Sequence, residues 1–181
     1  KSVEVHSKMG YNKAKMVVIG NGYELDKFYP NDKAKIKIHK ELNLKTDFIF
    51  GMVGRFDAQK NHKNLLEALS LIKKKNIDFK CLLVGTNMDS GNELLNEWIK
   101  EYEIEENLVL LGQRSDIPDI MNYLDLHILS SSFGEAFPNV LAEAMACGIP
   151  CVSTDVGDAS IIVGKTGWIV HHKNSEELAN A

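Results

Sequence analysis

Residues 48–75 read FIFGMVGRFDAQKNHKNLLEALSLIKKK. The segment opens with Phe48–Gly54, apolar on nearly every position, as a strand covered on both faces of a parallel sheet must be. It closes with a stretch that sets Leu65, Leu66, Leu69 and Ile72 on one helical face and lysines opposite. A polar turn, Arg55 to Asn61, joins the two. The expected unit is strand, turn, amphipathic helix.

The rest of the chain alternates in the same way. Further apolar runs are KCLLVG (Lys80–Gly85), LVLLG (Leu108–Gly112), LDLHILS (Leu124–Ser130), CVST (Cys151–Thr154) and WIV (Trp168–Val170), with MVVIG (Met16–Gly20) upstream. GNELLNEWIKEY places Leu94, Leu95 and Trp98 on one helical face. PNVLAEAMACG starts with Pro138 in a favoured first-turn position and stops at Gly148. Helices spaced between buried strands predict right-handed βαβ units, and hence an α/β fold with a doubly wound, Rossmann-like parallel sheet. No internal repeat or low-complexity segment interrupts it.

Composition narrows the class. The 181 residues are 44% hydrophobic and 25% charged, values of a folded domain, so disorder, collagen and coiled coil drop out. A chain of this length buries about 70% of its unfolded surface and needs no disulfide or metal staple. Lys plus Arg is 21 against 25 Asp plus Glu, so the basic surplus of a dedicated nucleic-acid binder is missing. No apolar run reaches the length of a membrane span. Three cysteines fit a reducing compartment better than a secreted framework. The chain starts at Lys1 without a signal-peptide core and ends at Ala181, just inside a helix that Asn174 and Glu177 open as a capping pair. Both ends look cut. The expectation is a piece of a longer protein, with 1–30 a linker or tail and 31–181 the domain.

In doubly wound sheets ligands bind outside the carboxyl ends of the strands. The segments there are Arg55 to Lys60, Thr86 to Gly91, Gln113 to Asp116, Ser131 to Asn139 and Asp155 to Asp158. In the first, Gly54 leads into Arg55 and Lys60, five residues apart, with Asn61 as the expected helix cap. Two cations beside a helix N-terminus suit a pyrophosphate, although a solvated surface turn carries the same residues. In the fourth, Glu135 lies in the loop and Glu143 about two turns into the helix, seven residues between them. Phe137, Pro138 and Asn139 form a helix entry whose free N–H groups can hold a phosphate. A carboxylate near a phosphate site is useful for sugar hydroxyls, as in dinucleotide folds. The plainer alternative makes Glu135 a helix cap and Glu143 an exposed side chain.

Missing motifs matter as much. No Asp-x-Asp is present to hold a metal against a diphosphate. GMVG and GTNMDSG both fail the G-x-G-x-x-G pattern, and no phosphate-binding P-loop or G-x-S-x-G elbow occurs. A bound diphosphate would have to be neutralised by Arg55, Lys60 and a helix end, without a metal. Cys147 and Cys151 read as small buried hydrophobes. His171 and His172 read as a polar turn, and His127 as a satisfied core histidine. Lys73–Lys75 complement a helix C-terminus.

The segments VIGNGYELDKFYP, GRFDAQKNHKNLLEAL, LLVG, LLGQRSDIPDIMNYLDLHILSS, GEAFPNVLAEAMACGIPCVSTDVGD and TGWIV follow one another in that order. Together they resemble the C-terminal, donor-binding half of the group 1 (family 4) retaining glycosyltransferases of GT-B fold, most of all bacterial O-antigen, capsule and exopolysaccharide transferases. The resemblance implies that Arg55 and Lys60 hold the diphosphate of a nucleotide-sugar donor, and that Glu143 binds its ribose. It implies that Glu135 meets the sugar near the reacting face. Backbone groups at Gln113 and Arg114 would touch the base, and amides from Phe137 through Pro138 and Asn139 to Val140 the phosphates. The implied enzyme needs no metal, prefers a UDP-sugar, and works in the cytoplasm or at the inner face of the membrane. A glycan or lipid-linked acceptor would be met through an N-terminal half. Two departures stand out. Ala136 replaces a usual Gly, which narrows the donor's approach to the backbone, and Ile161 replaces a usual acidic residue. A nucleotide-sugar 2-epimerase of the same fold and a non-catalytic nucleotide-binding module remain alternatives.

Overall fold

The computed structural model describes residues 2–46 and 48–181. Six strands form one parallel sheet: β1 (Phe48–Val53), β2 (Phe79–Val84), β3 (Leu108–Gly112), β4 (Leu126–Leu129), β5 (Cys151–Thr154) and β6 (Trp168–Val170). Their spatial order is β3-β2-β1-β4-β5-β6. This is the doubly wound arrangement expected from the alternation of buried runs and amphipathic stretches. Among the described residues eight α-helices accompany it: α1 (Ser2–Lys8), α2 (Asp32–Leu42), α3 (His62–Lys74), α4 (Glu93–Glu101), α5 (Ile117–Tyr123), α6 (Asn139–Ala146), α7 (Ala159–Val163) and α8 (Ser175–Asn180).

The sheet separates two apolar layers. On one side Ile38, Ile120, Leu124, Leu141, Ala144 and Val163 pack onto Ile49, Val53, Leu82 and Val84. On the other, Leu65, Leu66, Leu69, Leu95 and Ile99 pack onto Met52, Cys81, Leu83 and Ile128. Alternate residues of one strand feed opposite layers, which is why the strands read as unbroken apolar runs. Full burial of each such side chain is worth about 1.5–3 kcal/mol, and the two layers are the main source of stability.

The strand order reverses direction between β1 and β4, so their carboxyl ends part and leave a crevice. Two glycines allow the backbone to close around it. Gly85, after β2, has φ +142, and a β-carbon there would stand 2.1 Å from the Gly54 carbonyl oxygen. Gly157, after β5, has φ +63 and lies against the loop that follows β4.

Several local expectations change. Met16–Gly20 forms no strand and pairs with none, and Val17, Val18 and Ile19 are 82, 75 and 87% exposed. An apolar run becomes a strand only where a sheet edge lies alongside to take its backbone hydrogen bonds. Leu94 is exposed, while Leu95 carries the buried face of α4. Pro138 sits at the N-cap of α6 rather than in its first turn. Asn61 precedes α3 but makes no capping bond: its left-handed backbone (φ 49) departs from the extended conformation that lets an N-cap side chain reach back. Asn174 does accept from the Glu177 amide, but the Glu177 carboxylate turns to the amide and ring of His171, so only half of the capping box forms. Among the described residues no helix is long and apolar enough to cross a membrane.

Candidate functional site

The loop after β1 and the loop after β4 face each other across the crevice and are fastened together. The Ser132 amide donates to the Gln59 carbonyl at 2.8 Å, and the Ser130 hydroxyl donates to the Lys60 carbonyl at 2.8 Å. Asp57 closes the first loop locally, its Oδ1 accepting from the Gln59 amide. The loop after β5 joins from the other side, where the Asp158 amide donates to the Ala136 carbonyl at 3.0 Å. Toward β2 and β3, Phe56 N donates to Thr86 O, and Gly85 N to Gly112 O. The five segments read from the sequence therefore form one continuous edge.

Lys60 and Glu135 meet at its centre. The Lys60 Nζ lies 2.6 Å from Glu135 Oε1, and the two side chains are only 11 and 9% exposed. The Ser131 hydroxyl donates to the same oxygen at 2.7 Å. Glu135 is thus no helix cap. Arg55 is the open cation: its side chain is 60% exposed, held loosely at 3.2 Å by Asp57. Both predicted cations are paired with a carboxylate, Lys60 in a nearly buried pair and Arg55 in an exposed one.

Glu143 lies on α6, half-buried, and its carboxylate makes no hydrogen bond or ion pair with any described residue. Burial alone pushes its carboxyl pKa above the ordinary value. An ionisable oxygen left underbonded in a partly dry position is ready to accept from a ligand hydroxyl. The entry to α6 is covered from the N-terminal side. Asn139 Oδ1 accepts from Asn21 Nδ2 at 2.8 Å, and the rings of Tyr23 and Phe137 stand 6.5 Å apart. Val140 packs against the core. A cavity of about 930 Å³ opens beside this entry, lined by Glu135, Ala136, Phe137, Gly157, Asp158 and the Lys15–Asn21 stretch among others.

Gln113 and Arg114 lie further along the edge. Gln113 is exposed, whereas the Arg114 guanidinium is tied to Asp116 at 2.8 Å and to Glu41 at 2.5 Å. Those two carboxylates hold Arg114 firmly protonated. Its side chain braces the loop to α2. No hydrogen bond joins Gln113 or Arg114 to Lys60 or Glu135 among the described residues.

His127 departs from expectation. It is fully buried in β4, but neither ring nitrogen has a hydrogen-bond partner. Burial, with Lys60 adding to it, lowers its pKa to about 3. His62, at the start of α3, is also buried with Nε2 unpartnered and is lowered to about 4. The cysteines are buried free thiols as read. Sequence reading overlooked Ser131, Asn21 and Tyr23. The four-residue spacing from Ser131 to Glu135 was a signal for the first, whereas nothing local could have placed Asn21 and Tyr23 at α6.

Known proteins place this geometry. The chain is 32% identical over 173 residues to the Escherichia coli UDP-Gal:alpha-D-GlcNAc-diphosphoundecaprenol alpha-1,3-galactosyltransferase, covering 92% of this chain and 44% of that one. It is 29% identical over 172 residues to the capsular polysaccharide biosynthesis glycosyltransferase CapM of Staphylococcus aureus, covering 91% and 44%. The crystal structure of HepE from Anabaena in complex with UDP superposes with a TM-score of 0.88 at 29% identity, over 99% of this chain and 50% of that one. The chain spans about half the length of these relatives. The fold is thus one half of a GT-B architecture, and the profile of the glycosyl transferases group 1 matches residues 34–181. On that match, which takes in the sheet and all five loops of the crevice, the chain belongs to the group 1 glycosyltransferase family.

Proposed function

We propose that this chain is the donor-binding half of a retaining glycosyltransferase that moves a sugar from a nucleotide-sugar, with UDP as the carrier, to a surface-polysaccharide or glycolipid acceptor. The observation that carries the reading is the meeting of Lys60 and Glu135 at the crevice between β1 and β4, with Arg55 exposed in the same loop as Lys60. Transfer from such a donor needs charge stabilised on the departing diphosphate. Arg55, the spare donors of the Lys60 ammonium and the amides entering α6 supply it from fixed positions, in a partly dry cleft where such interactions are strong. Glu143 accepts from the ribose hydroxyls. Glu135 contacts the sugar close to the bond that breaks. Gly54 lets the backbone come near the phosphates, the β-carbon of Ala136 narrows the donor's approach on the sugar side, and backbone groups at Gln113 and Arg114 meet the base.

The arrangement we infer requires no metal, since the positive charge is provided by side chains. The acceptor is met through the other half of the fold, with 1–30 as the connection to it, at the cytoplasmic face of the membrane. Support comes from the relatives: a galactosyltransferase with a UDP-Gal donor and a neighbour crystallised with UDP. Titrating the chain with UDP, GDP and NAD tests the reading, with UDP expected to bind most tightly. A preference for NAD would instead support a nucleotide-binding module. A nucleotide-sugar panel on the intact enzyme, with the anomeric configuration of product read by NMR, tests transfer and retention. Release of a 2-epimerised nucleotide-sugar would favour the epimerase.

A further inference from the structure

We propose that Ser131 is a positioning residue for Glu135: its hydroxyl and the Lys60 ammonium fix one carboxylate oxygen, so that the other is presented to the donor sugar. The inference rests on the reading of Glu135 as the sugar contact.

Both bonds fall on the same atom. Ser131 Oγ stands 2.7 Å and Lys60 Nζ 2.6 Å from Oε1 of Glu135. Oε2 receives no hydrogen bond from any described residue, and Glu135 is among the residues that line the 930 Å³ cavity. A lysine alone is a weak orienting partner, because an ammonium on a flexible stem lets a carboxylate pivot around it. A second donor from another direction removes that freedom.

Ser131 is built to be such a donor. It is fully buried, so its hydroxyl cannot turn to water. Its carbonyl accepts from the Thr154 hydroxyl at 2.5 Å, which ties its backbone to the end of β5, and Thr154 is itself fully buried. The serines on either side fasten the same loop to the one after β1, through Ser130 Oγ to Lys60 O and Ser132 N to Gln59 O. The backbone bearing Ser131 is therefore held at three successive residues, and the four-residue loop to Glu135 closes through Gly134 at φ +74. The hydroxyl arrives at Oε1 from a rigid base.

The test compares Ser131→Ala, Ser131→Thr, Glu135→Gln and the Ser131→Ala/Glu135→Gln double variant in the intact enzyme. Removing a hydrogen bond to a charged group should lower kcat roughly tenfold or more, with donor KM changed less. UDP affinity should stay at the wild-type value, because UDP carries no sugar. Ser131→Thr, which keeps the hydroxyl, should recover most of the rate. In the Glu135→Gln background Ser131→Ala should cost little further, since residues acting as a unit are not additive. The positioning role is overturned by wild-type kcat in Ser131→Ala, by an equal loss in both backgrounds, or by UDP affinity and thermal stability falling together with the rate. If Ser131→Thr does not fold, the double-variant comparison decides alone. Full activity of Glu135→Gln is a distinct result, which removes the sugar contact itself and the role of Ser131 with it.

Discussion

A β-carbon built on Gly157 would stand 2.3 Å from the carbonyl oxygen of Glu135, and 2.8 Å from that of Ala136. The loop after β5 thus presses directly on the backbone that carries the central carboxylate. Gly157→Ala combines this overlap with a left-handed backbone, φ +63, and should destabilise the fold by about 2 kcal/mol or more. Gly148 also has a positive φ, +79, but the atom nearest the point a β-carbon would occupy is Pro30 Cγ at 3.6 Å, an ordinary contact, so Gly148→Ala should cost only about 1 kcal/mol. Denaturant midpoints of the two variants make the comparison, and equal losses would show that the contact with Glu135 is unimportant.

The two cations should fail in different ways. Arg55→Ala removes an exposed side chain, so stability should hold while kcat of the intact enzyme falls roughly 100- to 1,000-fold. Lys60→Ala should lose a similar amount of rate and also destabilise by about 3 kcal/mol, because Glu135 is left as a nearly buried charge without its partner. Turnover and thermal unfolding of both variants separate the cases. Unchanged turnover in either would contradict its role at the diphosphate.

Glu143 carries an opposition between stability and binding. Its raised pKa means that the folded protein favours the protonated form, so ionisation weakens folding as pH rises through the ordinary carboxylate range. Glu143→Gln removes that cost and should leave neutral-pH stability equal or higher, by up to about 1 kcal/mol. The same change should weaken UDP binding about tenfold if the carboxylate accepts from ribose. Calorimetry on the wild type and Glu143→Gln reads both quantities, and undiminished UDP affinity would remove Glu143 from the site.

The buried histidines predict acid lability. Folding lowers His62 to about 4 and His127 to about 3 from an ordinary 6.5, in both cases chiefly by burial. Above pH 6.5 both are neutral in the folded and unfolded chain, and their contribution is fully present. As pH falls below 6.5 the unfolded chain takes up protons first, and stability declines by about 3 kcal/mol per histidine by pH 4. His127→Leu should flatten its share of that slope. A melting temperature that does not change between pH 7 and 5 in the wild type would show that neither ring is held neutral.

Much of the fold was legible because burial on both faces leaves a strong mark: Phe48–Val53, Phe79–Val84 and Leu108–Gly112 are largely apolar in the sequence and stand as strands in the sheet. The loops at their carboxyl ends could be named because the topology of such sheets dictates where ligands go. That Lys60 and Glu135, 75 residues apart, would pair was not legible, since the contact depends on β1 and β4 being neighbours. Asn61 has the residue type of a cap, but its φ is set by the turn before it. A satisfied ring is the natural expectation for His127 because buried polar groups usually find partners, and only the packing around β4 reveals two empty ring nitrogens.

The unpaired stretch Met16–Gly20 leaves a line of amide and carbonyl groups beside three aliphatic side chains in water. Such a ribbon is sticky: it can recruit a strand from another molecule, or from a second copy of itself. Colloidal behaviour of these 181 residues in isolation should therefore depend less on the buried sheet than on these five residues. Light scattering should report concentration-dependent association that a lysine in place of Val18 suppresses.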